Sequence, residues 1–212
     1  MIDNDTFIIA KDGFKCIAAS VALMLFLMVI DADVLTFLSF VLVLLTLWAY
    51  RNPERVIPYL QEDSIVSVAD GVIRSIETLE DDEGTSGYKI VIRTGFLDTS
   101  ILRAPFACKV KETKSLYGAR LSSSMPLSKK LNEQSDIVFG GDEKQVRVSH
   151  NLQLSSVGIK NRLIENYPVA QGLRYGLMVK GNTTIVLPKN SRVAVKVGQN
   201  VRAGETLIGF FS

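Results

Sequence analysis

Histidine is almost missing from this chain: His150 is the single copy among 212 residues. Acid–base catalysis at neutral pH draws on histidine more than on any other side chain, so one copy leaves little scope for a histidine relay. Cysteine is nearly as rare. Cys16 lies at the start of an apolar stretch and Cys108 far away in the more polar part, which argues against a disulfide framework and against a thiolate metal site. Charge of one sign is lacking too. The net charge is +2 and no basic cluster carries interleaved aromatics, so nothing points to nucleic acid as a partner.

What the chain has in quantity is apolar side chain, 47% of its residues, concentrated at one end. From Phe14 to Tyr50 the only charged residues are Lys15, Asp31 and Asp33. Two apolar runs, Phe14 to Ile30 and Val34 to Tyr50, flank the Asp31-Ala-Asp33 tripeptide. Each is about 17 residues, roughly 25 Å as helix, at the short limit for crossing hydrocarbon. This predicts a transmembrane or re-entrant α-hairpin, with Trp48 and Tyr50 at interfacial positions. Lys11, Lys15, Arg51 and Arg55 flank its two ends and assign them to the cytoplasmic side. A signal peptide fits less well, because no small-residue cleavage site precedes Asp31 and a second apolar run follows. The expected organisation is a membrane anchor over residues 1–50 and a soluble domain over 51–212.

In the soluble part the period is that of strands. Ser67 to Ile76 alternates around Asp70-Gly71 and reads as two short strands joined there; Asp-Gly also suits a plain turn. An acidic loop from Glu80 to Gly87 precedes a strand at Tyr88–Arg93. His150 closes Val146-Arg-Val-Ser-His150, where it reads as a hydrogen-bonded partner on a strand. Thr184 to Pro188 and Arg192 to Ile208 give short strands punctuated by Gly198 and Gly204. The fold expected is mainly β.

Four segments, Tyr50–Pro58, Ala69–Val72, Gly95–Pro105 and Arg174–Pro188, resemble the phosphatidylserine decarboxylase family in its short, membrane-anchored form, and the likeness runs from the apolar hairpin to the C-terminus. Tyr50-Arg-Asn-Pro-Glu-Arg-Val-Ile-Pro58 is similar to the family's aromatic-Arg-Asp-Pro-Glu-Arg junction. Ala69-Asp-Gly-Val72 resembles the segment whose aspartate supports the catalytic base. Gly95-Phe-Leu-Asp-Thr-Ser-Ile-Leu-Arg-Ala-Pro105 resembles Leu-x-x-Asp-Val-His-Val-Asn-Arg-Ala-Pro, matching at Asp98, Arg103, Ala104 and Pro105. Arg174-Tyr-Gly-Leu-Met-Val-Lys-Gly-Asn-Thr-Thr-Ile-Val-Leu-Pro188 is similar to the self-cleavage segment. The resemblance implies a β-rich domain with barrel-sandwich-type hairpins. It also implies a reaction: a serine hydroxyl attacks the preceding glycine carbonyl, the ester eliminates, and the new N-terminus becomes a pyruvoyl group that serves as electron sink for decarboxylation.

The chain departs from that pattern where the chemistry resides. After Gly181, Asn182 stands in place of the serine, and an amide cannot form the ester. Ser100 stands in place of the histidine base, and a hydroxyl of ordinary pKa does not replace it at neutral pH. Asp70 is retained. The family's Asn-x-Arg motif is represented by Asn132-Glu-Gln134, without the arginine, in a region (Lys109 to Lys130) that the resemblance makes a loop. The expectation is therefore a pseudoenzyme without pyruvoyl cofactor and without metal. It would bind membrane phospholipid, through Arg103, Arg120 and Lys129, or a membrane-protein partner or second copy. The alternative is an active decarboxylase, producing phosphatidylethanolamine, that cleaves before Thr183 and carries a 2-oxobutanoyl group. The C-terminal hairpins also resemble biotinyl and lipoyl carrier domains, but the tip Gly198-Gln-Asn200 has no acceptor lysine.

Overall fold

The computed structural model describes residues 9–57, 63–80, 86–141, 144–155 and 157–212. Pro58 of the junction and residues 81–85 of the acidic loop lie outside them. The chain divides into two compact units, Asp5–Glu54 and Arg55–Ser212.

The first unit is a helical hairpin, with a 3-10 turn at Lys11–Gly13, α1 at Phe14–Val29 and α2 at Asp33–Ala49. Asp31 turns the chain with φ 51°, a left-handed conformation that aspartate tolerates better than most residues. The contact face of the pair mixes small hydroxyl residues with apolar ones such as Val43, and the outward face is apolar. Ser20 and Ser39 are buried, and Ser20 Oγ and Thr46 Oγ1 share a 3.2 Å hydrogen bond between the helices. Phe26, Met28, Val29, Phe37, Leu38 and Leu45 are exposed. Small hydroxyl residues at the contact and large apolar ones outside suit a lipid surround better than water. Lys11–Val29 is one helical stretch of 19 residues, long and apolar enough to cross a membrane, and Asp33–Ala49 is a shorter apolar helix.

The second unit is built from antiparallel strands. β1 (Ser64–Val66), β2 (Gly71–Glu80), β3 (Ser86–Thr94), β4 (Ile101–Arg103) and β5 (Cys108–Leu116) precede a short helix, α3 (Ser128–Leu131). β6 (Gln134–Gly140), β7 (Gln145–Leu152), β8 (Lys160–Asn161), β9 (Pro168–Val169), β10 (Arg174–Leu177), β11 (Gly181–Leu187), β12 (Ser191–Val193), β13 (Asn200–Val201) and β14 (Leu207–Phe211) follow. Eight of them form one sheet in the order β13-β2-β3-β11-β7-β6-β5-β9, and two three-stranded sheets, β1-β14-β12 and β4-β10-β8, complete the unit. The core is apolar and β-branched: Ile73, Ile90, Ile92, Ile137, Phe139, Val148 and Ile185 are all but sealed from solvent. β11 lies between β3 and β7 and alternates buried with half-buried residues along its length.

Asp70-Gly71 leads into a ten-residue β2, but the first of the two strands expected in Ser67–Ile76 is absent: β1 ends at Val66, and residues 67–70 are irregular. Gly71 has φ +147°, and a Cβ there would meet the Arg93 carbonyl oxygen at 2.1 Å, so the joint admits only glycine. The stretch Lys109–Lys130 differs from the expected loop, since its first part is the nine-residue β5. Along β5 only Val110 is fully buried and most of the rest is polar or charged, so the apolar alternation that marks a strand is absent.

Candidate active site

The positions that match the family's catalytic groups meet at one end of the large sheet. Gly181 opens β11 opposite Thr94, the last residue of β3, and Leu152, the last of β7. Thr94 Oγ1 donates to the Asp70 carbonyl at 2.7 Å. Met178 N–H donates to the Ser100 carbonyl at 2.8 Å, and a Cβ on Gly181 would meet Met178 Sδ at 2.6 Å. Asp70, Ser100 and Gly181 are thus linked through Thr94 and Met178. Glycine at position 181 is a packing requirement as well as a motif residue.

Asp70 is committed to an ion pair. Its Oδ1 accepts from Arg55 Nη1 at 2.6 Å and from Ala203 N–H at 2.8 Å, and its Oδ2 accepts from Arg55 Nη2 at 2.7 Å. Arg55 also donates to the Ala203 carbonyl at 2.8 Å and to Thr99 Oγ1 at 3.3 Å. The two side chains are 7% and 9% exposed. Burial disfavours the Asp70 carboxylate, but the hydrogen bonds and charge of Arg55, helped by Ala203 N–H and Thr99, outweigh it and hold its pKa below the ordinary carboxylate value. Arg55 belongs to the Tyr50–Pro58 junction, so a motif that reads in sequence as a linker delivers the partner of a catalytic-type aspartate. Fifteen residues separate the two, and no periodicity connects them.

Asn182 sits inside regular β11, paired with Arg93 and Asn151. Alternation along the strand turns its half-buried side chain to the face opposite that of Thr183. Thr183 is fully buried and meets the single histidine: His150 Nδ1 lies 2.9 Å from Thr183 Oγ1, and His150 Nε2 lies 2.7 Å from the Tyr175 hydroxyl. His150 is thus a satisfied strand residue, as its position in Val146–His150 suggests. Burial pushes its pKa down to about 3 and the Tyr175 phenol well above its ordinary value, so both are neutral at pH 7. The phenol is the stronger donor; if it donates to Nε2, the ring proton rests on Nδ1 and points at Thr183. The sequence signal for this trio was the placement of Thr183 and His150 at inward positions of strands otherwise apolar on that side.

A depressed histidine pKa makes stability pH-dependent in a defined sense. The unfolded chain takes up a proton near pH 6.5 that the folded chain refuses until about pH 3, so the contribution is whole above 6.5 and is lost as pH falls toward 3. In that window the unfolding free energy should carry an extra slope approaching about 1.4 kcal/mol per pH unit in the parent chain. His150→Leu should lack that slope, and denaturant titrations at a series of pH values measure it.

The three residues expected to touch lipid separate. Arg103 is buried, with Nη1 donating to the Gly172 carbonyl at 3.2 Å. Arg120 is 40% exposed with Nε 3.7 Å from Glu133, and Lys129 is exposed on α3. In the Asn132-Glu-Gln134 segment, Asn132 acts as a clasp: its side chain accepts from Leu121 N–H at 2.8 Å and donates to the carbonyls of Leu121 and Leu152 at 2.9 and 2.7 Å. Gln134 Nε2 donates to the Lys129 carbonyl at 2.8 Å.

The profile described as phosphatidylserine decarboxylase matches residues 42–209. A phosphatidylserine decarboxylase proenzyme of Desulfotalea psychrophila is 29% identical over 205 residues, covering 95% of this chain and 95% of that protein. Proenzymes of the same description are 30% identical over 219 residues in Symbiobacterium thermophilum (99% and 98% covered) and 33% identical over 172 residues in Chlorobium chlorochromatii (80% of each). The chain belongs to the phosphatidylserine decarboxylase family.

Proposed function

We propose that this chain is a membrane-anchored family member that does not cleave itself and works by binding phospholipid or a partner protein. The observation that carries the reading is Asn182 in the position of the family's serine nucleophile. Two further features support it. Ser100, buried at the same sheet end, brings no base of useful pKa, and Asp70 is neutralised by Arg55. The residues present therefore do not fit the formation of a pyruvoyl group, and no step is assigned to one. The apolar outer surface of α1 and α2 supports insertion of the hairpin in a bilayer, and the basic flanks support a cytoplasmic position for its ends.

The test is the intact mass of the protein purified from membranes, together with what accompanies it in mild detergent. One uncut chain of 212 residues that retains lipid or a partner is the expected result. A C-terminal fragment of 212 − 181 = 31 residues would overturn the reading.

A second reading, cleavage before Thr183 and an active decarboxylase, is favoured by one observation: Thr183 Oγ1 lies 2.9 Å from His150 Nδ1. Against it stands the position of Thr183 inside a strand paired on both sides, to β3 and to β7. A 30-residue fragment (212 − 182) that disappears in Thr183→Ala would establish this second reading.

A further inference from the structure

Between β5 and β6 the chain makes a loop that is shaped, basic and apolar at once. Its stem is fixed by backbone bonds, Ala119 N–H to the Leu131 carbonyl at 2.7 Å and Glu133 N–H to the Ala119 carbonyl at 2.9 Å, and by the Asn132 clasp. Inside, Met125 N–H bonds the Ser122 carbonyl at 3.0 Å and Ser128 N–H the Met125 carbonyl at 3.0 Å, leading into α3. This order does not hide the large side chains. Tyr117 is 93% exposed, and Leu116, Met125, Leu127 and Leu131 are 50% to 61% exposed. Five large apolar groups held outward on an ordered loop mark an interaction surface, since a loop that served only as a connection would be polar.

The charge of the loop selects the partner. From Thr113 to Asn132 there is no acidic residue, while Lys114, Arg120, Lys129 and Lys130 are present. Lys114 pairs with Glu112 and Arg120 lies near Glu133, whereas Lys129 and Lys130 stand exposed on α3 between Leu127 and Leu131. Leucine, methionine and tyrosine interspersed with lysine, without carboxylates, is the composition of a segment that enters the headgroup layer of an anionic bilayer.

We infer that the loop from Leu116 to Leu131 is a second membrane contact, separate from the helical hairpin, that docks on anionic phospholipid headgroups. The inference rests on the reading of this chain as membrane-anchored. It adds a lipid-sensing function to the β domain: the domain lies down on an anionic leaflet and lifts from a neutral one.

The test uses the full chain with Trp48→Phe and Tyr117→Trp, so that the only tryptophan reports from the loop. The protein is reconstituted in vesicles of phosphatidylcholine carrying brominated acyl chains, with and without phosphatidylglycerol. Expected is quenching of the reporter in anionic vesicles only, and a weakening of that docking on the order of 30-fold in Lys129→Gln/Lys130→Gln, each lysine contributing about one fivefold factor. A reporter that stays unquenched while the protein floats with the vesicles overturns the inference, and does so also if exchange measurements on membranes show the loop shielded by another protein. Equal quenching in neutral and anionic vesicles, or no effect of the lysine changes, overturns the reading of headgroup charge. A chain that does not float with vesicles at all overturns the anchored reading beneath it.

Discussion

Replacing Asp70 with alanine should destabilise the Arg55–Ser212 unit by about 3–5 kcal/mol, the usual cost of stripping one partner from a buried ion pair. The Arg55 guanidinium would be left 7% exposed, with only the Ala203 carbonyl, Thr99 and, 3.8 Å from its Nε, the more exposed Glu205. Each kcal/mol lowers the melting temperature of a unit this size by roughly 2–4 °C, so near-ultraviolet circular dichroism of the full chain in mild detergent registers the loss easily. The double change Arg55→Met/Asp70→Leu should recover most of it, because no charge is then buried. The pH dependence has a fixed sign. Asp70 has a folded pKa below its unfolded one, so the pair's contribution is present above about pH 4 and is lost as pH falls through the folded value. The gap between parent and double variant should therefore close in acid. A cost below about 1 kcal/mol for Asp70→Ala would mean that the pair is not what fixes this end of the sheet.

The second large effect tests the proposed loss of self-cleavage. Asn182→Ser restores a hydroxyl after Gly181 but no base, and Asn182→Ser/Ser100→His restores both. The double variant should cut after Gly181 some 10² to 10⁴ times faster than the single one, the range a positioned general base contributes. Release of the 31-residue C-terminal piece, followed by intact mass over time, gives both rates. Ser100 is 1% exposed, so a histidine there overpacks its surroundings at a cost of about 1–3 kcal/mol, and unfolding of the double variant should be measured alongside. Equal rates in the two variants would show that position 100 is not where a base acts.

The chain advertises in its sequence whatever depends on period and on short motifs. The apolar runs gave α1 and α2, the alternation from Thr184 gave the later part of β11 but not its start at Gly181, and Asp70-Gly71 gave the joint before β2 because only glycine reaches that backbone conformation beside Arg93. Hidden were features that depend on register between distant strands. Nothing local says that Thr183 pairs with His150, or that Tyr175 closes the trio from another sheet. The partner of Asp70 was equally silent, since an arginine fifteen residues upstream in a proline-bearing junction has no pattern that aims it. β5 escaped for a different reason: near the edge of a sheet, polar and charged residues can occupy most positions, and a single inward valine does not make a period.

β11 is zipped on both sides, to β3 and to β7, and it begins at the very bond that a self-cleaving relative must sever. Everything after that bond, the rest of β11 and β12 through β14, would in a cut protein be a separate peptide held only by its ladder and packing. In an uncut chain those same contacts are intramolecular. Dilution cannot remove the last 31 residues, and local fraying at the C-terminus leaves them within reach to rezip. On the uncut reading proposed above, the sheet is one covalent object, whose integrity does not depend on two chains staying together.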